Sequence, residues 1–445
     1  MKAHCALDFV FTLINLGGNV PPTLAVASEL IRRGHAVRVV VPDAGPEAAD
    51  AHMRMRADTV GATLVPRNVR WRDGFVPPQP HGIFAGRIGK FFGPLSDTYG
   101  TYVQSLAWAD AVLGVLRERP ADVVATDVLL PGGLIAAESA GCASAVLMHA
   151  IFIFRPLDGR PPPGLGLMPA RRWPGHLRDV LIGAAINRVH RRDALPLTNH
   201  ARGQFGLPRL RRPFEEFDRA NRFLVMSSAN FDFRPRRLPA NVVYTGFAYD
   251  GFAADEPWEW PWPTHGDRPT VLVSMSTNDQ GQFDVLQRLM TAVAGLPIHV
   301  LVALGPSLRG RRLQTPPNVA VRSWVPHECV IPKVSLVVTH GGHGTVMKTL
   351  TAGVPILCIP LTADQPDIAA RLVARGVGVR ISKHAGPAAM RGAIMSMLQD
   401  QTIGTRVKAL SERLRAENGV NVAADELERL GTATRTGRTR SVHTN

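Results

Sequence analysis

The stretch VVTHGGHGTVMKTLTAGVPILCIPLTADQPDIAARL, residues 337–372, decides the fold of this chain. A buried strand in it ends at His340, and a helix begins near Thr345. The turn between them is rich in glycine, with Gly341, Gly342 and Gly344. Glycines let the backbone approach a ligand closely, and the free N–H groups at a helix N-terminus attract anions. The stretch therefore predicts a parallel α/β unit whose strand-to-helix turn holds a diphosphate.

Polar and aromatic side chains follow the neighbouring strands. The strand ILCIP leads into a loop with Asp364 and Gln365, an acid and an amide that suit the hydroxyl groups of a sugar. Upstream, Trp324 closes the strand VAVRSW, and an exposed aromatic ring at that position can stack on a nucleobase. Each residue alone also fits an ordinary loop or core position, but together they indicate a site for a sugar nucleotide.

Strand and helix patterns alternate along almost the whole chain. Short apolar strands separated by helices, such as AVRVVVP after TLAVASELIRRGH, predict parallel sheets that are covered on both faces. A stretch with three tryptophans and four prolines, 255–269, interrupts the pattern. We expect a doubly wound N-terminal domain at 1–235, a linker at 236–269, a second α/β domain at 270–430 and a disordered basic tail at 431–445.

Composition narrows the class of protein. The chain has 445 residues, 45% of them hydrophobic, which predicts two globular domains. No apolar run is long enough to span a membrane, and the opening MKAHCALDFVFTLI is typical of a buried first strand. Four widely spaced cysteines show no metal or redox spacing and indicate reduced thiols in a cytoplasmic protein.

The net charge of +15 favours sugar nucleotides or anionic lipid surfaces as partners, and it equally fits a solvated arginine-rich surface. No nucleic-acid-binding module accompanies this charge, so nucleic acid is not an expected partner.

Four elements of the second domain resemble the family 1 nucleotide-sugar-dependent glycosyltransferases, which have the GT-B fold. Those enzymes carry a Trp-x-Pro element, a Thr-His-x-Gly turn, a Gly-x-Pro element and an Asp-Gln pair. All four occur here in that order: WVP at 324–326, THGGHGT at 339–345, GVP at 353–355 and DQ at 364–365. The opening GGNVPPTLAVASELIRRGHAVRVVV resembles their first strand-turn-helix-strand unit. The resemblance implies an α/β protein with two Rossmann-like, doubly wound domains that face each other across a cleft.

The resemblance implies that the turn of the second domain binds phosphate. His340 would contact the α-phosphate of the donor, and Gly342, Gly344 and Thr345 would supply backbone contacts to the diphosphate. Ser276, in VSMSTNDQ, would line the phosphate side. The helix end and His340 then neutralise the leaving diphosphate, so the scheme implies no metal ion and no cofactor besides the sugar nucleotide as co-substrate.

Base and sugar would be held on either side of that turn. Trp324 would pack on the base, Val325 would contact it through its backbone, and Asp364 and Gln365 would bind sugar hydroxyls. The implied reaction is the inverting transfer of a hexose from a UDP- or TDP-sugar to a small lipophilic hydroxylated acceptor. The acceptor would lie in the N-terminal domain.

Two residues depart from the family pattern. Lys348 stands where many members carry a glutamate that binds the ribose, so the base of the donor stays open. Asn19 stands where the family has the histidine that deprotonates the acceptor, and an amide cannot take that proton. Asp127, in VVATDVLLPGG, matches the aspartate that orients this histidine.

Three answers to the missing base are open. In the one we favour from the sequence, Asp127 takes the proton, directly or through a water held by Asn19, and Asn19 positions the acceptor. Alternatively another histidine replaces the base, either His149 at the end of AVLMH or His81. The third answer is an acceptor acidic enough to need little help.

Two competing interpretations have different consequences. If Asn19 marks a loss of activity, the chain is a catalytically silent auxiliary protein that binds sugar nucleotides. If the arginine-rich segment 155–212, with Trp173, contacts anionic lipid, the chain is an enzyme at the inner face of the membrane. A solvated basic helix pair is the alternative for that segment.

Overall fold

Two parallel β-sheets form the framework of the protein. They are seen in a computed structural model, which describes residues 6–15, 17–43, 48–69, 102–153, 156, 159–249, 258–262 and 268–442. The first sheet contains β1 (Asp8–Thr12), β2 (Ala36–Pro42), β3 (Thr63–Arg67), β4 (Val123–Asp127), β5 (Ala143–Met148), β6 (Arg222–Val225) and β7 (Val242–Tyr244). Its strand order is β3-β2-β1-β4-β5-β6-β7. The second sheet contains β8 (Thr270–Ser274), β9 (His299–Ala303), β10 (Val319–Arg322), β11 (Leu336–Thr339), β12 (Ile356–Cys358) and β13 (Gly378–Arg380). Its strand order is β10-β9-β8-β11-β12-β13.

Helices connect these strands. In the N-terminal half they are α1 (Val20–Arg32), α2 (Ala48–Thr59), α3 (Ser105–Glu118), α4 (Gly132–Ser139), α5 (Trp173–Gln204) and α6 (Glu215–Arg219). In the C-terminal half they are α7 (Gln282–Val293), α8 (His327–Val330), α9 (His343–Thr351), α10 (Gln365–Arg375), α11 (Pro387–Gln399), α12 (Gln401–Arg415) and α13 (Gly419–Val442). None of the helices in the described ranges is long and apolar enough to cross a bilayer.

Both faces of each sheet carry an apolar core. In β1, Phe9 and Phe11 join one buried cluster, and Val10 between them joins another on the opposite face. In β8 the same alternation sends Val271 to one cluster and Leu272 to the other. Successive side chains of a strand point to opposite faces, so a sheet covered on both sides needs strands that are apolar throughout. The apolar runs of the sequence predicted this arrangement.

The two sheets turn their switch points toward each other. Strand order reverses between β1 and β4 in the first sheet and between β8 and β11 in the second. Ligands of doubly wound folds bind outside the carboxyl ends of the strands at such points. A Cβ placed on Gly17, after β1, would lie 3.8 Å from the side chain of Thr277, after β8. The predicted pair of Rossmann-like domains facing each other across a cleft is therefore confirmed.

The C-terminal helix corrects the expected end of the second domain. α13 returns to the first sheet, where Ala423, Ala424 and Leu427 are buried with the core of β1 and α1. Arg435 donates two hydrogen bonds of 2.7 Å to the carboxylate of Asp122. The expectation of a disordered tail from residue 431 is wrong as far as Val442, because this long-range packing extends the helix. Residues 443–445 lie outside the described ranges.

The expected linker at 236–269 is corrected at its start. Residues 242–244 form β7, so the first sheet takes one more strand from this stretch. The tryptophans that follow pack against the second domain, where the ring of Trp262 stacks on His299 with centroids 4.4 Å apart. Residues 258–262 contain no helix or strand, as the prolines and tryptophans predicted.

Candidate active site

Asp127 is fixed at the end of β4, at the first switch point. Its backbone N–H donates to the hydroxyl of Thr12 at 3.1 Å, and the hydroxyls of Thr12 and Thr126 lie 2.8 Å apart. One side-chain oxygen, Oδ1, accepts from the backbone N–H of Leu129 at 2.9 Å. These bonds hold the carboxylate against the turn that precedes α1.

Asn19 completes the coordination of that carboxylate. Its side-chain Nδ2 donates to Oδ2 of Asp127 and to the carbonyl of Ile14, each at 2.7 Å. Both Asn19 and Asp127 are only 1% exposed. A carboxylate that is buried and bonded at both oxygens does not touch a molecule in the cleft. The geometry therefore does not support Asp127 as the direct base, nor Asn19 as a contact of the acceptor.

His149 lies next to this pair, one residue after β5. Its Nδ1 is 3.7 Å from Oδ2 of Asp127. The same Nδ1 is buried and accepts or donates no hydrogen bond, while the side chain as a whole is 18% exposed. Nδ1 faces Asp127 and is buried, so the exposed part of the side chain lies elsewhere than at Nδ1. His81, the other candidate histidine, lies outside the described residues.

Two glycines of the second-domain turn are required by close contacts within the protein. Gly341 has a φ of +98°, and a Cβ there would lie 2.9 Å from the Sγ of Cys358. A Cβ on Gly342 would lie 2.8 Å from Nε2 of His340. α9 begins at His343, slightly before the predicted position, and in the described structure no side chain caps its first N–H groups. The predicted anion site therefore has open donors.

His340 is a neutral side chain in this turn. It is 9% exposed, and burial lowers its pKa to about 4. Near pH 7 the imidazole therefore carries no charge. The positive potential expected for a leaving diphosphate comes from the N-terminus of α9.

The two predicted sugar-binding residues at the start of α10, Asp364 and Gln365, have different surroundings. Oε1 of Gln365 accepts from the backbone N–H groups of Leu361 and Thr362 at 2.8 and 3.0 Å. Its Nε2 donates to Gln280 at 2.8 Å. Gln365 thus holds the loop in place within the protein. Asp364 is half-buried beside it, and burial raises the pKa of its carboxyl group to about 6.

Where the nucleobase of the donor is expected to bind, the side chain of Trp324 is exposed and an unexpected ion pair is present. Trp324 lies two residues beyond β10 and is 49% exposed, whereas Val325 is buried. Lys348 pairs with Glu328 and also lies over the ring of Tyr249, with Nζ 5.6 Å from the centroid. The carboxylate missing at position 348 is thus present on its ion-pair partner, four residues after Trp324.

Ser276 lies in the loop after β8, close to these groups. It is 4% exposed, and its hydroxyl accepts from the backbone N–H of Asn278 at 3.2 Å. Its carbonyl accepts from Gln282 at 3.3 Å. The loop that carries Ser276 also carries Gln280, so it is joined to Gln365 on α10. In the described ranges, no three His, Cys, Asp or Glu side chains are grouped as a metal site.

Comparison with known proteins shows what the chain is similar to. Residues 287–429 match the family model described as "Erythromycin biosynthesis protein CIII-like, C-terminal domain". The chain is 28% identical over 424 residues to the 4'-demethylrebeccamycin synthase of Lentzea aerocolonigenes, which covers 93% of this chain and 97% of that protein. It is 26% identical to the zeaxanthin glucosyltransferase of Pseudescherichia vulneris, covering 91% and 93% of the two chains.

Solved structures share the fold over nearly the whole length. The glycosyltransferase of kitacinnamycin superposes with a TM-score of 0.71 at 21% identity, covering 96% of this chain and 99% of that one. The glycosyltransferase VinC, solved in complex with dTDP, superposes with a TM-score of 0.65 at 18% identity, covering 96% and 100%. The chain has the GT-B fold, and its relatives support a sugar-transferring enzyme similar to the glycosyltransferases of natural-product type.

The two domains of this glycosyltransferase are joined by contacts that the motifs do not predict. Arg371 on α10 forms a buried ion pair of 2.6 Å with Asp232, which follows β6. Asp367 accepts from the backbone N–H groups of Gly164 and Gly166 at 2.5 and 2.8 Å. Nε2 of His343 lies 2.9 Å from the hydroxyl of Ser227. Both α9 and α10, which carry the donor motifs, are thereby held against the N-terminal domain.

The sequence predicted the glycine-rich turn between β11 and α9 but not several of the side-chain contacts around it. Gln280 and Asp232 lie in loops without a recognisable motif, Glu328 lies on the short helix α8, and their contacts join separate parts of the chain. A signal existed only for Glu328, a carboxylate close behind the Trp-x-Pro element. The rest depends on tertiary packing that local patterns do not encode.

Proposed function

We propose that this glycosyltransferase moves a hexose from a UDP- or TDP-sugar to the hydroxyl of a small lipophilic acceptor, with inversion at the anomeric carbon. The observation that carries the proposal is the placement of His149 and Asp127 across the cleft from the donor turn. Burial is the main cause of the lowered pKa of His343 in that turn and of the raised pKa of Asp364 in the sugar loop, and His149 contributes to both shifts, so it lies close to both residues. The dTDP complex of VinC and the name of the zeaxanthin enzyme support the donor and acceptor classes.

His149 acts as the base in this proposal. The acceptor oxygen attacks the anomeric carbon on the face opposite the diphosphate, and its proton passes to Nε2 of His149. The carboxylate of Asp127, 3.7 Å from Nδ1, stabilises the imidazolium that forms and orients the ring. Asn19 keeps that carboxylate in place through its 2.7 Å hydrogen bond. The histidine function has thus moved from the turn before α1 to the end of β5.

The leaving diphosphate departs toward the N-terminus of α9. The bond from the anomeric carbon to the diphosphate oxygen breaks, and its electron pair stays on the diphosphate. Backbone N–H groups at Gly344 and Thr345 and the neutral His340 donate hydrogen bonds to it. We therefore propose that transfer needs no metal ion, which predicts full activity in the presence of a chelator.

The cytoplasm is the proposed site of the reaction. Cys142, Cys329 and Cys358 are free thiols in the structure. Free thiols persist in reducing compartments.

A silent auxiliary protein is the second candidate, favoured by Asn19 at the position of the family's base. The two candidates differ in turnover. A silent protein binds a nucleoside diphosphate but neither transfers nor slowly hydrolyses the sugar nucleotide. An enzyme hydrolyses or transfers it, and replacement of His149 removes that activity.

Calorimetric titration with UDP, TDP and GDP tests the donor site first. We expect one diphosphate to bind at micromolar concentration and to bind about tenfold or more weakly to His340→Ala, since a buried donor to the phosphate is lost. The best diphosphate then selects the sugar nucleotides for a screen of hydroxylated acceptors. Absence of binding by all three diphosphates contradicts the proposed function.

A further inference from the structure

The first three turns of α5 expose an apolar face. Trp173, Leu177, Val180 and Leu181 are 73%, 43%, 66% and 61% exposed. Their spacing of four, three and one residues places them along one side of the helix. We call these four side chains the apolar face of α5. Large apolar side chains left together in water mark an interaction site.

This face is unusual within the molecule. Nine large hydrophobic side chains are exposed in the described ranges, and four of them form the apolar face of α5. A fifth, Met168, lies in the loop just before the helix. On its other side α5 is anchored to the domain, because Gly183, Ile186 and His190 are buried there. The apolar face therefore points outward from a fixed helix.

Positive charge surrounds the apolar face. Residues 171–193 contain six arginines and two acidic residues, of which Asp179 pairs with Arg178 at 2.7 Å and Asp193 with Arg192 at 2.6 Å. The arginines of this range are Arg171, Arg172, Arg178, Arg188, Arg191 and Arg192. An apolar stripe with a basic rim and a tryptophan matches the features of helices that lie in the lipid headgroup region.

We propose that the apolar face of α5 docks the enzyme on an anionic lipid surface. The apolar side chains enter the boundary between headgroups and acyl chains, with Trp173 at the interface, and the arginines contact lipid phosphates. A second copy of this chain fits the face less well, because it would bring two arginine rims together without counter-charges.

The docking surface adjoins the donor loop. The segment that leads into α5 contains Gly164 and Gly166, which are hydrogen-bonded to Asp367, three residues after Asp364. A lipophilic acceptor dissolved in the bilayer therefore meets the enzyme beside the cleft. This consequence rests on the proposed function, whereas the binding of lipid does not.

Co-sedimentation with vesicles of phosphatidylcholine and phosphatidylglycerol in about equal amounts tests the proposal. We expect the full chain to sediment with these vesicles at low salt and far less with phosphatidylcholine alone. Leu177→Gln/Leu181→Gln removes two apolar contacts and keeps a good helix former, so vesicle binding should fall about tenfold or more. Met55→Gln, at an apolar side chain that is 49% exposed on α2, is the matched control and should bind normally.

Several outcomes overturn the proposal. One is no binding to the mixed vesicles, and another is equal loss of binding in the control and the double variant. A third is a dimer in solution that the double variant converts to monomer, since a second copy then covers the face. Diphosphate titration of each variant distinguishes failure of the lipid-docking proposal from failure of the proposed function. The double variant should bind the diphosphate normally even if it no longer binds lipid.

Discussion

At the scale of single residues, the contact between Asn19 and Asp127 determines which groups an acceptor can reach. The amide of Asn19 occupies one carboxylate oxygen of Asp127, and a backbone N–H occupies the other. His149 is left as the titratable group that is both close to Asp127 and partly exposed. The sequence named all three residues as candidates, but the choice between a base and its anchor depends on burial and distance, which only the structure gives.

Asn19→Ala tests the anchor. The change leaves Oδ2 of Asp127 and the carbonyl of Ile14 without the donor they now share. Loss of a buried donor should lower the free energy of unfolding by about 1–3 kcal/mol, measured by urea denaturation. Asn187→Ala, on a partly exposed position of α5, is the control and should change stability by less than about 0.5 kcal/mol. Equal stabilities of the two variants would contradict the role of Asn19 in holding the carboxylate of Asp127.

Asp364 gives a pH-dependent prediction. Burial raises the pKa of its carboxyl group from 3.8 to about 6. Between those values the folded protein binds the additional proton, so this group lowers the free energy of unfolding as pH rises from about 4 to about 6. The ionised carboxylate accepts sugar hydroxyls better, so the preference for a sugar nucleotide over the bare diphosphate should grow as pH rises through about 6. Calorimetry across this range checks the trend, and Asp364→Asn should flatten it.

At the scale of elements, the junction of β11 and α9 is the part that the sequence predicted best. Its glycines, its apolar strand and its helix start are adjacent in the chain, so local rules suffice. The contact that makes Gly342 necessary is also local, because it involves His340, two residues earlier. The exact start of α9 and the neutral state of His340 depend on burial and needed the structure.

Gly342→Ala should damage the donor turn. The new Cβ would lie 2.8 Å from Nε2 of His340, so that side chain must move. We expect diphosphate affinity to fall about tenfold or more, since displacement of a buried hydrogen-bond donor costs about 1–3 kcal/mol. Gly392→Ala, on α11 with no atom within 4 Å of the new Cβ, should leave affinity unchanged. Normal affinity in Gly342→Ala would contradict the contact.

Gly344→Ala distinguishes a clash with the bound diphosphate from a clash within the protein. No protein atom lies within 4 Å of a Cβ at this position, so the fold should tolerate it and the helix gains about 1 kcal/mol of stability. A diphosphate held close to the backbone would meet the new methyl group. We therefore expect weaker diphosphate binding together with a higher Tm. Unchanged affinity would mean that the diphosphate does not approach this residue.

At the scale of the whole molecule, the two domains share buried polar contacts. Asp232 and Arg371 pair at 2.6 Å, and Tyr244 and the backbone of Phe152 also donate to Asp232 at 2.8 Å. α13 adds a second connection by returning to the first sheet. The sequence predicted two sheets from their periodic patterns. It did not predict the pair of Arg371 with Asp232 or the return of α13 to the first sheet, since each joins residues more than a hundred positions apart.

Arg371→Met tests the interdomain pair. The remaining donors to Asp232 keep part of its hydrogen bonding, so the expected loss is at the lower end for a broken buried pair, about 3 kcal/mol. Thermal unfolding should show a lower Tm, and a split into two transitions if the pair couples the domains. Arg413→Met, on the exposed side of α12, is the control and should shift stability by less than about 0.5 kcal/mol. A matching small effect in Arg371→Met would show that the pair contributes little.

His149 is the group proposed to take the proton of the acceptor. The direct measurement is the transfer rate of His149→Gln at saturating sugar nucleotide, beside wild type and His200→Gln, an exposed histidine on α5. We predict that kcat falls about 100- to 10,000-fold in His149→Gln, with diphosphate affinity unchanged, and that His200→Gln behaves as wild type. A His149→Gln enzyme that keeps its kcat would contradict the assignment of the base.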